Sequence, residues 1–315
     1  MKSKNETISI IIPTYKSANT LIKLVDELVL TFKSFKTEIV IVNDCSPDIF
    51  THENCISLSN KYQDKISYIK LSKNYGEHNA VMAGLRYSEG DLVIIMDDDY
   101  QNLPSEALKL VEFTLESEHD VVFAKYKIKK DSFTRNLMSK VANVSAQLLI
   151  NKPKEIYFSS FKAIKRTLIK EIIKYQGPFP YIDGLILAKT ENIGSVEVIH
   201  SIREKSKSSY NLYKLAKLYG NLVTNFSTVP IHLFSILGLV ITLISFLFIV
   251  GILIEKIVNP SVPLGYSTLV TIIFFFSGIQ ILFLGLIGEY VGKILRNVNK
   301  EEQYIVDFVK KRNSY

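Results

Sequence analysis

The sequence predicts an α/β protein with a mostly parallel central sheet, followed by a hairpin of two membrane-spanning helices. In the first hundred residues, short apolar runs alternate with segments of helical spacing. Strands that are apolar on both faces are typical of a parallel sheet covered by helices. Near the C-terminus, two longer apolar runs contain no Asp, Glu, Lys or Arg. Each of them has the roughly 20 residues that a helix needs to cross the hydrocarbon core of a membrane.

The elements follow from the spacing of apolar residues. Five runs are predicted to be strands: Ile8–Pro13, Glu38–Val42, Ile66–Leu71, Leu92–Met96 and Asp120–Tyr126. Helical spacing predicts helices over Leu21–Leu30, Asn79–Tyr87 and Ser105–Glu118. Two further amphipathic segments, Phe133–Ile150 and Tyr210–Ser227, are compatible either with core packing or with a position in the membrane interface.

Polar residues follow three of the predicted strands. Pro13, Thr14 and Tyr15 end the first strand, Asp44 follows the second, and Asp97–Asp99 follow the fourth. In open α/β sheets, ligands bind outside the carboxyl ends of the strands. We therefore expect these residues to lie together at one binding site.

The acidic triplet predicts a metal. Asp97, Asp98 and Asp99 at the end of a buried strand repel one another unless a cation lies among them. Mg²⁺ and Mn²⁺ take oxygen ligands and commonly bridge carboxylates to substrate phosphates. The alternative, an exposed acidic turn, is less compatible with the apolar strand Leu92–Met96 that precedes it.

Two other polar residues leave alternatives open. Asp44 is suited to accept a hydrogen bond from a base-ring N–H, or to cap its strand through an Asx turn. His78 lies between a loop and a helix, and we expect a structural role rather than acid–base chemistry. Cys45 and Cys55 form neither a disulfide framework nor a metal-ligand spacing, which fits a reducing compartment.

The apolar runs Ile231–Ile254 and Tyr266–Gly288 are predicted to span the membrane; the alternative is a pair of buried core helices. The loop between them carries one Glu and one Lys, whereas lysines and arginines flank both runs on the outer sides. By the positive-inside rule, both termini lie in the cytoplasm. No signal peptide is expected, because the first apolar run is too short. The prediction is a multi-pass protein of the inner cell membrane.

Positive charge is concentrated before the first apolar run. Lys125–Lys217 contains 19 lysines and arginines against 7 acidic residues, whereas the net charge of the whole chain is +7. Such a stretch favours anionic lipid surfaces and phosphate ligands, with a solvated basic face as the alternative. No nucleic-acid-binding motif accompanies it, so we do not expect a nucleic acid partner.

Four segments are expected along the chain. They are a cytosolic globular domain (1–208), a juxtamembrane amphipathic helix (209–230), two transmembrane helices (231–290) and a cytosolic tail (291–315).

Four sequence blocks resemble those of the family 2 glycosyltransferases, and in particular of the polyprenyl-phosphate branch that includes dolichol-phosphate mannose synthases. They are Ile10–Tyr15, Val42–Asp48, Asn74–Leu85 and, after Gly90-Asp91, Met96–Pro104. The order and spacing of the blocks are specific, and the resemblance covers essentially the whole chain. The two C-terminal apolar runs are typical of this branch rather than of its soluble relatives.

The resemblance implies a GT-A-type nucleotide-binding sandwich and assigns roles by position. Asp44 matches the aspartate that contacts the base, and Asp97 and Asp99 match the outer residues of the Asp-x-Asp metal motif for Mg²⁺ or Mn²⁺. The remaining donor-site residues implied are Pro13, Thr14, Tyr15, Asp98 and Gln101. Arg203, with Lys205 and Lys207, is expected to hold the acceptor phosphate, and Asp99 and Arg203 are the expected catalytic residues.

Two stretches depart from the family pattern. Ser160-Phe-Lys162 stands where relatives often carry Asp-Phe-Arg. The segment Arg203–Tyr210 retains the arginine and the aromatic residue of a second pattern, but Ser206 and Ser209 replace its Gly and Lys. Both departures fall in the regions expected to contact the sugar and the acceptor.

The implied function is transfer of a sugar from a nucleotide sugar, with a UDP-sugar favoured, to polyprenyl phosphate at the bilayer. A phosphate acceptor is already a dianion at neutral pH and needs no general base. The alternatives are a polysaccharide synthase, for which Asp183 is the candidate base, and a non-catalytic membrane partner that keeps the fold. A homo-oligomer remains open.

Overall fold

The structure is a computed structural model. It describes residues 6–18, 20–126, 159–199, 265–298 and 301–313, with four single positions between 240 and 258. The chain divides into two compact units. The first, here called the sheet unit, consists of Met1–Ser209 together with Lys300–Tyr315. The second, the helical unit, is Tyr210–Asn299.

The described part of the sheet unit contains eight strands and six helices. In chain order they are β1 (Thr7–Thr14), α1 (Leu21–Thr31), β2 (Lys36–Asn43), α2 (Ile49–Lys61), β3 (Ile66–Leu71), α3 (Glu77–Tyr87), β4 (Leu92–Ile95), α4 (Pro104–Glu116), β5 (Val121–Tyr126), β6 (Lys162–Lys165), α5 (Arg166–Ile172), α6 (Ile182–Leu187), β7 (Ile193–Val198) and β8 (Val306–Lys310).

The eight strands form one mixed sheet in the order β7-β5-β6-β4-β1-β2-β3-β8. The central strands β4, β1, β2 and β3 are parallel, as are β5 and β7. Strand β6 runs antiparallel to both of its neighbours, and β8 runs antiparallel to β3 at the edge. The parallel centre was predicted from the fully apolar runs, and the structure confirms it.

Helices cover both faces of the sheet. One core layer lies under α1, α2 and α4, and the other under α3, α5 and α6. Alternate residues of β1 pack into the two core layers, with Ile10 on one face of the sheet and Ile11 on the other. Gly84 of α3 lies so close to this strand that a Cβ there would come within 2.4 Å of the Ile11 side chain. The absence of a side chain lets α3 pack directly on the sheet.

The five predicted strands are all present; Ile66–Leu71 matches at both ends, and no other end differs by more than two residues. Helix α2 was not predicted, because its apolar residues are few and weakly periodic. It begins after Asp48, whose side chain accepts a hydrogen bond from Thr51 N (2.8 Å) and so caps the helix. Strands β6 and β7 also escaped prediction, since each is short and neither shows a continuous apolar run.

In the helical unit, one long helix, α7, extends from Tyr266 to Val298. It includes the second predicted membrane span, Tyr266–Gly288. In the described part of the chain, no helix combines the length and the apolar composition needed to cross a membrane. The predictions for Phe133–Ile150 and Tyr210–Ser227, and nearly all of the first span, Ile231–Ile254, fall outside the described residues.

The C-terminal tail differs from its prediction. A separate tail was expected over 291–315, but α7 extends to Val298, and the residues from Lys300 onward belong to the sheet unit. Strand β8 pairs with β3, with Val309 opposite Ile69 and Phe308 opposite Lys70. The last residues therefore complete the central sheet.

Candidate active site

The loops that follow β1, β2 and β4 meet at the carboxyl edge of the sheet, as the sequence predicted. Asp44 N donates to Thr14 O (3.0 Å), which joins the ends of β2 and β1. Tyr15 N donates to Asp98 Oδ2 (3.2 Å), which joins the ends of β1 and β4. The predicted residues Pro13–Tyr15, Asp44 and Asp97–Asp99 therefore lie at one site.

Backbone strain is concentrated in these same three loops. Lys16, Cys45 and Tyr100 have φ values of 62°, 53° and 62°. They are the three residues other than glycine with positive φ in the part of the chain that the structure describes. Residues other than glycine adopt this region infrequently, and such conformations are commonly found at functional sites. Each loop therefore turns sharply just beyond its strand.

Asp98 is directed into the protein. Its carboxylate accepts hydrogen bonds from Ser17 Oγ and Tyr15 N, and its backbone carbonyl accepts one from Thr20 Oγ1 (2.7 Å). Burial raises the pKa of Asp98 to about 6, although the Ser17 hydrogen bond favours the ionised form. The sequence placed Asp98 among the donor-binding residues; in the structure it ties the metal-motif loop to the loop after β1.

Asp97 and Asp99 are held by neighbouring donors while remaining partly exposed. Ser160 Oγ donates to Asp97 Oδ2 (2.6 Å), and Gln101 N donates to Asp99 Oδ1 (3.1 Å). Among the described residues, no group of three or more His, Cys, Asp or Glu side chains is arranged to hold a metal. Two carboxylates still fit Mg²⁺ or Mn²⁺, because such ions often take only one or two protein carboxylates and complete their shell with phosphate and water.

Negative charge accumulates around this pair. Glu77, the first residue of α3, is exposed to solvent and lies near Asp97 and the Lys162–Asp183 pair. Burial, and then the nearby Asp97, raise the pKa of Glu77 to about 7. Lys162 opposes this shift, but it is itself paired with Asp183. Among the described residues, Asp97, Asp98, Asp183 and Lys162 thus all lie close enough to Glu77 to affect its pKa.

The Lys162–Asp183 pair is buried, with 3% and 8% of the two residues exposed. The Lys162 ammonium also lies 5.2 Å from the centroid of the Phe123 ring. A buried pair of this kind depends on both partners, because loss of either leaves an uncompensated charge. Asp183 is thus engaged by a cation rather than directed toward an acceptor.

Asp44 links two loops. Its two carboxylate oxygens accept hydrogen bonds from Tyr75 N (2.7 Å) and Gly76 N (2.8 Å), and the residue is 3% exposed. Burial raises its pKa despite these two bonds. Gly76 has φ = +91°, a conformation that favours glycine, so the loop can direct both N–H groups at Asp44. Each carboxylate oxygen keeps a second lone pair that can accept a hydrogen bond from a ligand.

The three histidines in the part of the chain that the structure describes make structural contacts. The His78 ring contacts Tyr181 edge-on, with centroids 5.2 Å apart, and burial lowers its pKa to about 4. It is therefore neutral at physiological pH, which fits the structural role expected from the sequence. His52 contacts the Tyr68 hydroxyl through Nδ1 (2.7 Å), and His119 contacts Asn192 (2.9 Å).

Several residues at the site were not predicted. Ser17 and Glu77 carry no sequence signal, because a serine in a loop and a glutamate at a helix start are ordinary. Ser160 was noticed as a departure from the family pattern, but its contact with Asp97 was not predicted. The expected acceptor residues Arg203, Lys205 and Lys207 lie outside the described residues, as do Ser206 and Ser209.

Comparison with known proteins identifies the family. The profile described as Glycosyl transferase family 2 matches residues 9–173. The chain belongs to glycosyltransferase family 2. The match includes all four motif blocks, so it confirms the resemblance inferred from the sequence.

Two curated relatives share almost the full length of this glycosyltransferase. A Yersinia pestis protein is 32% identical over 306 residues, which are 96% of this chain and 93% of the relative. A Proteus mirabilis (strain HI4320) protein is 30% identical over 310 residues, 97% of this chain and 94% of the relative. Both are named undecaprenyl-phosphate 4-deoxy-4-formamido-L-arabinose transferase.

Solved structures confirm the GT-A-type α/β fold. Glucosyl-3-phosphoglycerate synthase from Mycobacterium tuberculosis, in complex with Mn²⁺, UDP and its product, matches with a TM-score of 0.54 at 17% identity. The match covers 70% of this glycosyltransferase and 78% of that chain. Mannosyl-3-phosphoglycerate synthase from Rubrobacter xylanophilus matches with a TM-score of 0.51 at 16% identity, covering 68% and 70% of the two chains.

The described departure from the family pattern has a local explanation in this glycosyltransferase. Ser160 stands where the family pattern inferred from the sequence has an acidic residue, and its hydroxyl donates a hydrogen bond to Asp97, where a carboxylate would add another negative charge. Lys162 replaces an arginine and makes a single ion pair with Asp183. The serine thus adds no negative charge beside Asp97, and the lysine keeps Asp183 paired.

Proposed function

We propose that this family 2 glycosyltransferase moves a sugar from a nucleotide sugar, with a UDP-sugar favoured, to polyprenyl phosphate. The observation that carries the proposal is the end-to-end similarity to relatives named undecaprenyl-phosphate transferases. Such full-length similarity includes the segments on both sides of the shared fold. The transferred sugar would then serve modification of the cell envelope or of a glycan.

The donor would lie across the carboxyl edge of the sheet. Pro13, Thr14 and Tyr15 would line the nucleoside pocket, and Asp44 would accept a hydrogen bond from the base. This role is supported by the two hydrogen bonds from Tyr75 N and Gly76 N, which fix the orientation of the Asp44 carboxylate. Gln101 would lie near the donor phosphates, beside the Asp99 carboxylate that its backbone N–H already contacts.

A divalent cation completes the donor site in this proposal. Asp97 and Asp99 would hold Mg²⁺ or Mn²⁺, which screens the two phosphates and stabilises the leaving nucleoside diphosphate. Support comes from the proximity of Asp97 and Asp98 to Glu77 and from the partial exposure of Asp97 and Asp99. The residues themselves would orient the donor, and a large part of the acceleration would come from that positioning.

The acceptor would be a phosphate rather than a sugar hydroxyl. A hydroxyl needs a general base, and the candidate from the sequence, Asp183, is buried and paired with Lys162. A phosphate monoester is already a nucleophile at neutral pH and needs cations to hold it. Arg203, Lys205 and Lys207 are proposed for that role on sequence grounds.

Attachment to the membrane belongs to the same proposal. The two charge-free runs, Ile231–Ile254 and Tyr266–Gly288, would form a hairpin in the inner membrane with both termini in the cytoplasm. A lipid acceptor makes this arrangement useful, since its phosphate stays near the headgroup plane while its chain remains in the hydrocarbon.

A transfer assay with the purified full-length chain tests the proposal. A panel of UDP- and GDP-sugars would be supplied with Mn²⁺ and with either undecaprenyl phosphate or an oligosaccharide acceptor. We expect labelled sugar on the lipid phosphate only. Transfer to the hydroxyl acceptor would support a polysaccharide synthase, and no transfer from any donor would support a non-catalytic partner; either result would contradict the proposal.

The acceptor assignment gives a more specific prediction. A charge-assisted contact to phosphate contributes about 1.5–3 kcal/mol, so Arg203→Ala should raise the KM for polyprenyl phosphate roughly ten- to a hundredfold. Donor affinity, measured by calorimetry, should barely change. If the variant instead weakens donor binding and leaves the lipid KM unchanged, Arg203 belongs to the pyrophosphate site.

A further inference from the structure

The C-terminal segment, defined here as residues 301–313, is far in sequence from the part of the sheet unit that it contacts. Its strand β8 pairs with β3, and the ion pair between Lys70 and Asp307 (2.8 Å) joins residues 237 positions apart. In the sequence, the whole helical unit lies between β3 and β8. The last residues thus return to the sheet beside the loops of the candidate site.

The segment is fixed at both ends. Gln303 Nε2 donates to Gly177 O (2.7 Å) near its start. Near its end, Arg312 pairs with Glu38 (2.9 Å) and Glu89 (2.7 Å). The pairing of Arg312 with Glu38, whose side chains are 18% and 6% exposed, and the contact of Gln303 restrict the movement of β8 relative to the sheet.

A first chain of contacts leads from β8 to the loop after β2. The Phe308 ring lies 5.8 Å from the ring of Tyr68 and 6.4 Å from that of His52, centroid to centroid. Tyr68 is fully buried, and its hydroxyl accepts a hydrogen bond from Asn43 Nδ2 (3.2 Å) and is also hydrogen-bonded to His52 Nδ1 (2.7 Å). Phe308 therefore fixes the ring whose hydroxyl orients Asn43.

Asn43 passes this constraint to the donor loops. Its Oδ1 accepts a hydrogen bond from Ser46 N (2.8 Å), and Ser46 Oγ accepts one from Lys16 N (3.1 Å). Asn43 directly precedes Asp44, the proposed base contact, and Lys16 directly follows Tyr15. Both left-handed turns of the nucleoside pocket, at Lys16 and at Cys45, are thus joined to this chain of contacts.

A second, separate chain of contacts reaches Asp44 from the other side. Ser72 N donates to Ile305 O (2.9 Å), and Ser72 Oγ contacts the Tyr75 hydroxyl (3.1 Å). Tyr75 N in turn donates to Asp44 (2.7 Å). The C-terminal segment therefore supports the loop after β3 as well as the loop after β2, and the two loops meet at Asp44.

We propose that the C-terminal segment is a positioning element of the nucleotide-donor site, which acts through Phe308 and Tyr68 on Asn43 and through Ile305 on the loop that holds Asp44. The inference rests on the proposed nucleotide donor. It makes donor affinity depend on residues that follow the helical unit in the chain. Phe308 is 39% exposed and so adds little to the core, which sets its role apart from general packing.

The test uses two substitutions on adjacent residues of β8 in the full-length chain. Phe308→Ala removes the ring that contacts Tyr68, whereas Val309→Ala removes a side chain that packs against the opposite core layer. Binding of UDP with Mn²⁺, and of GDP as a second probe, would be measured by calorimetry, and unfolding by thermal scans. We expect Phe308→Ala to weaken nucleotide binding about tenfold, since contacting residues couple by up to a few kcal/mol.

Val309→Ala should lower the unfolding temperature at least as much as Phe308→Ala does. It should nevertheless leave nucleotide affinity within about twofold of the original value. Equal nucleotide affinity in the two variants would overturn the inference, because it would reduce the segment to a structural role. If Phe308→Ala does not fold, Tyr68→Phe serves instead. It keeps the ring and removes only the hydroxyl that holds Asn43, and unchanged nucleotide affinity in that variant would likewise overturn the inference.

This experiment is independent of the acceptor. If no sugar reaches polyprenyl phosphate but Phe308→Ala still weakens UDP or GDP binding selectively, the proposed function fails and the positioning role stands. If transfer to the lipid proceeds and both β8 variants bind nucleotide equally well, the proposed function stands and the positioning role fails. If the unaltered protein binds neither nucleotide, the positioning role fails together with the donor assignment.

Discussion

Carboxylates differ between the two ends of the central strands: Glu38 at the amino ends is buried, whereas Asp97–Asp99 and Glu77 at the carboxyl ends are at least partly exposed. Near the amino ends of the strands, Glu38 is surrounded by donors: the hydroxyl of Ser9, the backbone N–H groups of Glu89 and Gly90, and the guanidinium of Arg312. At the carboxyl ends, Asp97–Asp99 and Glu77 crowd together, and the one lysine that offsets Glu77 is already paired with Asp183.

This difference separates a structural site from a candidate functional one. A buried charge is costly unless it is paired, so a fully partnered carboxylate such as Glu38 contributes to the fold. Neighbouring carboxylates with raised pKa values, such as Glu77 and Asp98, suggest a functional site. A metal-bound nucleotide would bring positive charge to these carboxylates and would have no effect on Glu38.

The largest expected effect is on catalysis at the carboxyl edge. Asp99→Asn removes a proposed metal ligand and should lower sugar transfer by about 10²–10³-fold, the loss typical of removing a group that stabilises transition-state charge. The unfolding temperature should change little, since Asp99 is partly exposed and the substitution keeps its size. Asp64→Asn, at an exposed turn between α2 and β3, serves as a matched control with transfer unchanged. Equal transfer rates in Asp99→Asn and the unaltered enzyme would contradict the metal assignment.

The largest expected effect on stability is at the amino edge. Arg312→Ala leaves Glu38 buried without its cation, and breaking such a pair costs about 3–5 kcal/mol. Because Arg312 is 18% exposed on its side chain, the lower end of that range is expected. Urea unfolding of the full-length chain would measure the loss. A change below about 0.5 kcal/mol, the range of ordinary surface substitutions, would show that the C-terminal segment is not essential to the sheet unit.

Gly76→Ala probes the link between the two donor loops. No atom lies within 4 Å of the added Cβ, so the cost comes from the backbone at φ = +91° alone. We expect a loss of about 1–3 kcal/mol. UDP affinity should weaken as well, because the Gly76 N–H group, which donates a hydrogen bond to Asp44, would be displaced. Asp64→Asn, at the exposed turn between α2 and β3, should change neither quantity. UDP affinity unchanged by Gly76→Ala would argue against a loop-positioning role for Asp44.

The smallest expected effect concerns the contribution of Glu77 to the pH dependence of stability. Its pKa is raised from 4.5 to about 7 in the folded protein, so the folded state binds more protons and loses stability as the pH rises from about 4.5 to 7. Glu77→Gln lacks this loss. With chelator present, the variant should unfold at a higher temperature than the original protein at pH 8 and at an equal temperature below pH 4.5. Since Glu77 keeps solvent contact, we expect a difference below about 1 kcal/mol; a variant that is less stable at pH 8 would contradict the account.

Much of the carboxyl edge could be predicted because its signals are local. Pro13–Tyr15, Asp44 and Asp97–Asp99 each follow directly on an apolar run, and parallel strands bring such ends together. The direction of each side chain was not predictable. Asp97 and Asp98 are adjacent in the chain, yet one faces Ser160 across the cleft and the other turns back to Ser17.

The amino edge escaped prediction because its contacts are long-range. Nothing near Val306–Lys310 in the sequence indicates β3 as its partner, and the segment is short and flanked by charges. The pairing of Arg312 with Glu38 joins residues 274 positions apart. Only the folded sheet shows that the expected tail is an edge strand, and that its removal would leave Glu38 uncompensated.

Titration of the full-length chain with Mn²⁺ in the presence of UDP, followed by calorimetry, tests the central claim most directly. The account predicts UDP-dependent Mn²⁺ binding that weakens at least about tenfold in Asp97→Asn and in Asp99→Asn, since each variant loses a charged oxygen ligand. The same titration of Asp64→Asn should match the unaltered protein. Undiminished Mn²⁺ affinity in both motif variants would contradict the claim that a metal compensates the carboxyl-edge carboxylates.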